Sequence, residues 1–346
     1  MPALPPALRT AATVALTLAI ALTGGGLFTL AGIPASWLMG GMVAVAAGAV
    51  GGAPLLMPPR VAAGAFVLLG VSMGSGITPD ILDQLARWPL SMMLLAVAVL
   101  VSMAASAQWL ERVHGWDRAT AAYAAVPGAL GMVLAFAASS NANLRRVALA
   151  QSLRLFTLVI AMPWILTWLT GAGGHLTAMT AQGAGLRDTA LMLAAATAGG
   201  WILTKLRVGG SWLMGAMLTS AILHGTGTVH HNMPVFLLVA GFTATGAVIG
   251  SRFRGVTIGA LRADLRPSLE SVGLAMVLTA GFSALGAHLL SLPFGQFWLA
   301  YAPGGVEAMA VMAFSLGLDA AFVGTHHIVR IIGLTALLPV WAKRPG

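Results

Sequence analysis

The sequence predicts an all-α integral membrane protein. It is built from two homologous repeats of about five to six hydrophobic segments each, giving about 10–12 membrane helices, some broken or re-entrant. Three observations carry this expectation. Apolar residues make up 58% of the chain and charged residues only 8%. A soluble domain carries about 25% charged residues, so lipid rather than water is the main solvent here. Apolar runs near the length that crosses a bilayer core as a helix, about 20 residues, recur along the chain. Finally, the chain repeats itself. Ser36-Trp37-Leu38-Met39-Gly40-Gly41-Met42 returns as Ser211-Trp212-Leu213-Met214-Gly215-Ala216-Met217, an offset of 211 − 36 = 175. Gly24-Gly25 matches Gly199-Gly200 at that offset, and Met57-Pro58, Pro127-Gly128, Arg154 and Pro163 match Met233-Pro234, Pro303-Gly304, Arg330 and Pro339 at 176. A register held over half the chain marks a duplication.

The first repeat (1–171) contains runs near 8–31, 34–51, 59–77, 89–110, 119–138 and 147–171. The run at 8–31 follows Arg9 and looks like a secretory signal. It pairs, however, with Thr189 to Thr197 in mid-chain, and a removable signal has no reason to recur there, so it reads as a retained first membrane helix. The runs 34–51 and 59–77 are short and are punctuated by Gly51-Gly52 and Pro58-Pro59, as short spans or the halves of a re-entrant pair would be. The run 89–110 is uninterrupted, 119–138 holds Pro127-Gly128, and 147–171 holds Arg154. A glycine-containing linker over 172–185 leads to the second repeat (186–346), with runs near 186–205, 209–224, 233–250, 267–291, 295–316 and 321–342. An even number of spans per copy makes the repeats parallel and an odd number makes them inverted; both stay open at this level.

Net charge is +9, with the basic residues scattered where runs end, as at Arg112, Arg145-Arg146, Lys205 and Arg252. That pattern holds helix ends at headgroups. It is not the dense basic stripe of a nucleic-acid binder, so direct nucleic-acid binding is not expected. Cysteine is absent, which excludes disulfides and thiolate metal sites. The adjacent pairs His230-His231 and His326-His327 do not form a metal face, because helical neighbours point about 100° apart. No metal or cofactor is expected.

Two segments are candidates for chemistry. Tyr301-Ala302-Pro303-Gly304-Gly305-Val306-Glu307 puts Pro-Gly-Gly inside an apolar run, where it breaks a helix. Broken backbone at membrane depth survives only inside protein or beside a water-filled cavity, and the restarted helix exposes amides that favour anions. Glu307 then stands either as a titratable functional group or simply as a favourable helix start. The first copy keeps the break, as Pro127-Gly128, but has Gly131 in place of Glu307. The second candidate is the end of each copy, where Gln151-Ser152-Leu153-Arg154 matches His327-Ile328-Val329-Arg330. The two arginines either face each other and pair with Glu307 and Asp319, or snorkel to the headgroups. The candidate substrate or ion site is therefore Pro127, Gly128, Arg154, Pro303, Gly304, Gly305, Glu307, Asp319, His327 and Arg330. Gly40 and Gly215 read as helix-packing residues, and Gly70/Gly74 and Gly246/Gly250 fit the small-xxx-small pattern of close helix contacts.

The repeated Ser-Trp-Leu-Met-Gly of Ser36 and Ser211, the Pro-Gly-Gly-x-x-Glu-Met of Pro303 to Met309 and the Gln-x-x-Arg of Gln151 to Arg154 together resemble the AbrB duplication family. The resemblance covers almost the whole chain. It implies a bacterial inner-membrane, multi-pass protein with two copies of one module. Members carry labels that include transcriptional regulator, regulator of aidB expression and ammonia monooxygenase. This chain departs from the pattern at Gly131 and at His327, which stands where the family has glutamine. The residues show no DNA-binding element, and the ligand inventory is thin for a copper or iron oxygenase. The unrelated soluble regulators of the same short name share none of these motifs.

The expectation is a secondary transporter or exporter of a small solute, with Arg154 and Arg330 placed to orient an anionic group on it. Alternating access would centre on a site between the two breaks, with Glu307 as the coupling site. The alternative is a membrane-embedded regulator or sensor acting on gene expression through a partner protein. No enzyme activity is expected. The partners are the lipid bilayer and a small-molecule or ion substrate, and nothing in the sequence speaks to oligomeric state.

Overall fold

The computed structural model describes residues 6–75, 88–128, 130–170 and 185–341. Among these residues it is all-helical, with 14 α-helices and no strand. The first copy supplies α1 (Pro6–Leu30), α2 (Ser36–Val50), α3 (Pro59–Gly74), α4 (Trp88–Arg112), α5 (Arg118–Ala125), α6 (Leu130–Ala138) and α7 (Leu144–Thr170). The second supplies α8 (Leu186–Lys205), α9 (Ser211–Gly225), α10 (Val235–Gly250), α11 (Ile258–Leu290), α12 (Phe294–Tyr301), α13 (Val306–Ser315) and α14 (Ala320–Trp341). Helix starts recur with the sequence register: Ser36 and Ser211 differ by 211 − 36 = 175, Leu130 and Val306 by 306 − 130 = 176, and Leu144 and Ala320 by 320 − 144 = 176. Residues 172–184 of the expected linker lie outside the described residues.

Among the described residues six helices are long and apolar enough to cross a membrane: α1, α4, α7, α10 with the short 3-10 turn that extends it, α11 and α14. Large apolar side chains such as Leu27, Met93, Val277 and Ile332 stand exposed on them. This is a multi-pass membrane protein. The helix α11 begins well before the apolar run at 267–291, because charged side chains of its first turns are paired, one within the helix and one with α7. Arg266 bonds Glu270 at 2.8 Å, one turn on, and Asp264 meets Arg146 of α7 at 3.0 Å. The Arg146 guanidinium also lies 5.0 Å from the centre of the Trp116 ring.

The chain divides into two compact units, and these do not follow the two copies. One comprises Met1–Thr78 with Gly171–Ile258, the other Pro79–Thr170 with Gly259–Gly346. The first unit therefore holds α1–α3 and α8–α10, and the second holds α4–α7 and α11–α14.

In the first unit the repeated glycines let backbones touch. A Cβ added at Gly40 would fall on the Gly24 carbonyl, and one at Gly215 would fall on the Gly199 carbonyl, so α1 packs on α2 as α8 packs on α9. Without a hydrophobic drive between helices in lipid, this close van der Waals approach is what holds them together. The third helix of each copy then crosses over. Gly70 and Gly74 of α3 abut Leu213 to Ala221 of α9, while Gly246 and Gly250 of α10 abut Leu38 to Ala46 of α2. Ser220 fastens one of these contacts by donating to the Val71 carbonyl at 2.6 Å.

In the second unit α12 is tied to its neighbours by buried polar tips. The Tyr301 hydroxyl donates to the Ser91 carbonyl of α4 at 2.6 Å, and Trp298 Nε1 donates to the Met276 carbonyl of α11 at 3.1 Å. Phe297 stacks edge-on to Tyr301 and to Phe322 of α14, which meets Trp88 in the same way. These aromatic pairs bury large area, and the Tyr301 hydroxyl and Trp298 indole tips keep polar contacts, whereas the Trp88 indole N–H is buried without a partner.

A candidate site at two broken helices

Each copy contributes one broken helix to the second unit. Helix α5 ends at Ala125, Val126 turns extended, Pro127 and Gly128 follow, and α6 resumes at Leu130. Helix α12 ends at Tyr301, Ala302 turns extended, and α13 resumes at Val306 after Pro303-Gly304-Gly305. The extended residue is dictated by the proline after it, whose ring excludes helical dihedrals from its predecessor. Each half has 8 to 10 residues, about 12–15 Å of helix, too short to cross a core of about 30 Å. The two breaks meet. Gly128 has φ +78°, and a Cβ there would lie 3.1 Å from Arg330 Nη2 and 3.4 Å from the Gly304 carbonyl oxygen.

A half-helix that stops at membrane depth leaves carbonyls without partners and a partial negative charge at its end. The last helix of each copy supplies the answer. Gln151 Nε2 donates to the carbonyls of Tyr123 and Val126 at 3.1 and 3.0 Å, and Arg154 Nη1 donates to that of Ala124 at 3.2 Å. Arg154 Nη2 in turn donates to Gln151 Oε1 at 2.6 Å. In the second copy His327 bonds the Leu299 carbonyl at 2.9 Å, Arg330 Nη1 donates to that of Ala302 at 2.7 Å, and Arg330 Nη2 donates to that of Gly304. Arg330 Nη2 also meets His327 Nδ1 at 2.8 Å. Guanidinium can only donate and a carbonyl can only accept, so this network assigns His327 as the neutral tautomer with its proton on Nε2. Histidine thus presents a donor to the helix end and an acceptor to the arginine, as Gln151 does. The substitution keeps the hydrogen-bond pattern while changing the side chain.

Both arginines are buried, with 6% and 4% of their surface exposed, so neither reaches the headgroups. Among the described residues neither forms an ion pair with a carboxylate. Glu307 stands in the first turn of α13, half-buried beside Gly305. Asp319 lies elsewhere: its Oδ1 accepts from the amides of Ala321 and Phe322, both at 2.9 Å, and so caps the start of α14. Arg330 is 330 − 319 = 11 residues further along that helix, about 16 Å away. The structure therefore gathers Pro127, Gly128, Arg154, Pro303, Gly304, Gly305, His327 and Arg330 at the crossing, with Glu307 on its edge and Asp319 outside it.

A small pocket of about 20 Å³ opens onto this crossing. Arg154 and Pro303 line it, together with Ser102 and Ser106 of α4 and Ser268 and Ser271 of α11. Ser106 donates to the Ser271 carbonyl at 3.3 Å, whereas Ser268 Oγ is buried with no hydrogen-bond partner. These serines are absent from the sequence-derived site. Their signal was present, since 102 and 106 are one helical turn apart and so are 268 and 271.

The family model described as transition state regulatory protein AbrB matches residues 37–345. A protein of Bacillus subtilis (strain 168) named "Uncharacterized protein YhjN" is 27% identical, over 93% of this chain and 90% of that protein. A protein of Escherichia coli (strain K12) named "Putative regulator AbrB" is 26% identical, over 90% of each. The chain belongs to the AbrB family.

Proposed function

We propose that this protein is a secondary transporter or exporter of a small anionic solute in the cell inner membrane, and that it is not an enzyme. The observation that carries the proposal is the serine-lined pocket ending on two apposed helix breaks. Four hydroxyls and a guanidinium are polar contacts for a solute, in a region where irregular backbone is otherwise costly; at about 20 Å³ the pocket holds about one water-sized group in this conformation and widens in the transport cycle. Its charge favours an anion. Two guanidinium charges face two half-helix C-termini worth about −0.5 each, which leaves about one positive charge uncompensated. Glu307, at the edge of the crossing, is the coupling site for a proton or another cation. The test starts from metabolites that differ between cells lacking and cells overproducing the protein, followed by uptake of those compounds into proteoliposomes. Flux of one of them is the expected result, and Glu307→Gln abolishes its coupling to an ion gradient while the protein still folds. Absence of flux for every changed compound overturns the transport reading; unchanged coupling in the variant overturns the role of Glu307.

A second reading is favoured by the names of the family model and of the Escherichia coli protein, both of which speak of regulation. It is a membrane-embedded regulator acting on gene expression through a partner protein, without binding nucleic acid itself. This reading expects no flux and a partner that co-purifies reproducibly. An effect of transport on gene expression would be indirect and would follow the flux.

A further inference from the structure

The two buried arginines face different surroundings. Arg154 borders the serine pocket, but Arg330 forms part of a second, larger cavity of about 280 Å³ between α4 and α14. Apart from Arg330, its wall is apolar throughout, with Leu95, Val99 and Leu334 at the back and Ala96, Leu100 and Gly333 towards the outside. The outer side belongs to the lipid-facing surface: Val97, Leu100 and Ile332 are 49%, 43% and 65% exposed. Gly333 offers an unobstructed entrance, since a Cβ there would meet nothing within 4 Å. The Arg330 Nε–H has no hydrogen-bond partner and is itself buried, so a ligand oxygen reaches it from the cavity when the side chain swings outward.

We infer that this cavity binds a medium-chain carboxylate that enters sideways from the bilayer, its chain against α4 and α14 and its carboxylate on Arg330. The two halves of the argument are independent. An apolar cavity open to lipid takes up an acyl chain. A buried cationic N–H without an acceptor is costly, and an anionic oxygen relieves that cost with a charge-assisted bond. Size and depth narrow the ligand. At about 30 Å³ per small group the cavity holds about nine heavy atoms, so a ten-carbon carboxylate seats its head and most of its chain there and leaves about three carbons in the bilayer through the open side. Arg330 lies 330 − 320 = 10 residues into α14, about 15 Å along it and so near the middle of the span. A phospholipid phosphate stays at the headgroup level and does not reach that depth. A free carboxylate on a short chain does. The cavity has its own lining, apart from the serine pocket, although Arg330 also belongs to the crossing, and decanoate binding is read independently of solute flux.

The test uses the full chain in phospholipid nanodiscs, with decanoate as the probe and calorimetry as the readout. Saturable binding of one decanoate per protein is expected, with decanol, which has the chain but not the charge, binding at least about tenfold more weakly. Gly333→Leu fills the entrance without meeting backbone and weakens decanoate by at least about tenfold, with thermal unfolding unchanged. Should that variant fail to fold, Ala96→Leu closes the same entrance from α4 and is read in the same way. Three results would each overturn the inference: no saturable decanoate binding, equal binding of decanol, or full binding in the filled-entrance variant. Recovery of a phospholipid in place of decanoate from the cavity would also overturn it.

Discussion

Replacing His327 by glutamine and by leucine separates two explanations of why histidine stands there. If His327 acts through its hydrogen bonds, glutamine restores what Gln151 does in the other copy, and leucine does not. In the leucine variant the Leu299 carbonyl loses its 2.9 Å donor and Arg330 Nη2 loses its 2.8 Å acceptor, both in a fully buried setting. A buried polar group left without its partner costs about 1–3 kcal/mol, so the pair costs about 2–6 kcal/mol. The glutamine variant keeps both bonds with a side chain of similar size and costs about 1 kcal/mol or less. The chain has 10 tryptophans, so intrinsic fluorescence in nanodiscs reads apparent unfolding temperature directly. At about 2 °C per kcal/mol for a chain of this size, leucine lowers it by roughly 4–12 °C and glutamine by about 2 °C or less. Equal shifts in the two variants would refute the hydrogen-bond account. So would a flux whose pH profile moves in the glutamine variant, because a histidine locked in one neutral tautomer carries no proton in the cycle.

Two other substitutions probe the packing and the pocket. Gly40→Ala drives a methyl onto the Gly24 backbone and costs about 1–3 kcal/mol, whereas Gly26→Ala meets open space and gains up to about 1 kcal/mol from helix propensity; the same unfolding assay distinguishes them, and equal losses would discount the α1–α2 contact. Ser268→Ala removes a buried hydroxyl that has no partner, so stability holds or rises by about 1 kcal/mol while solute flux falls; flux that holds along with stability would remove Ser268 from the solute path.

Much of the backbone was legible in the sequence, because proline and glycine act locally. Pro127-Gly128 and Pro303-Gly304-Gly305 broke the two apolar runs where the structure breaks them, since the missing amide and the freed dihedrals need no knowledge of neighbours. Gly40 and Gly215 were legible as packing residues for the same reason. The partners were not. Nothing in Gly70 or Gly74 says that they meet α9 rather than a helix of their own copy, because that choice is made between elements far apart in the chain. The start of α11 was also hidden. A hydropathy window stops at Arg262, Asp264 and Arg266, whereas the helix continues because Arg146 and Glu270 pair with two of them. At the site, the sequence offered Arg154 and Arg330 as ion-pair partners or interfacial anchors. Their use as caps for interrupted helices required seeing that the Gln151 and His327 side chains, three residues earlier, address the same helix ends.

The crossing of α3 onto α9 and of α10 onto α2 also bears on how the protein is made. When α3 leaves the ribosome, the surface that will cover Gly70 and Gly74 has not been synthesised. It arrives with Ala216, which is 216 − 70 = 146 residues later. At about 5–20 residues per second that is a delay of roughly 7–30 s. Throughout that interval the first copy sits in the membrane with a glycine groove open to whatever helix passes. A stop after the first copy would thus leave an incomplete product rather than half a working protein. The two copies, expressed as separate chains, would need each other in the same membrane at the same time to mature.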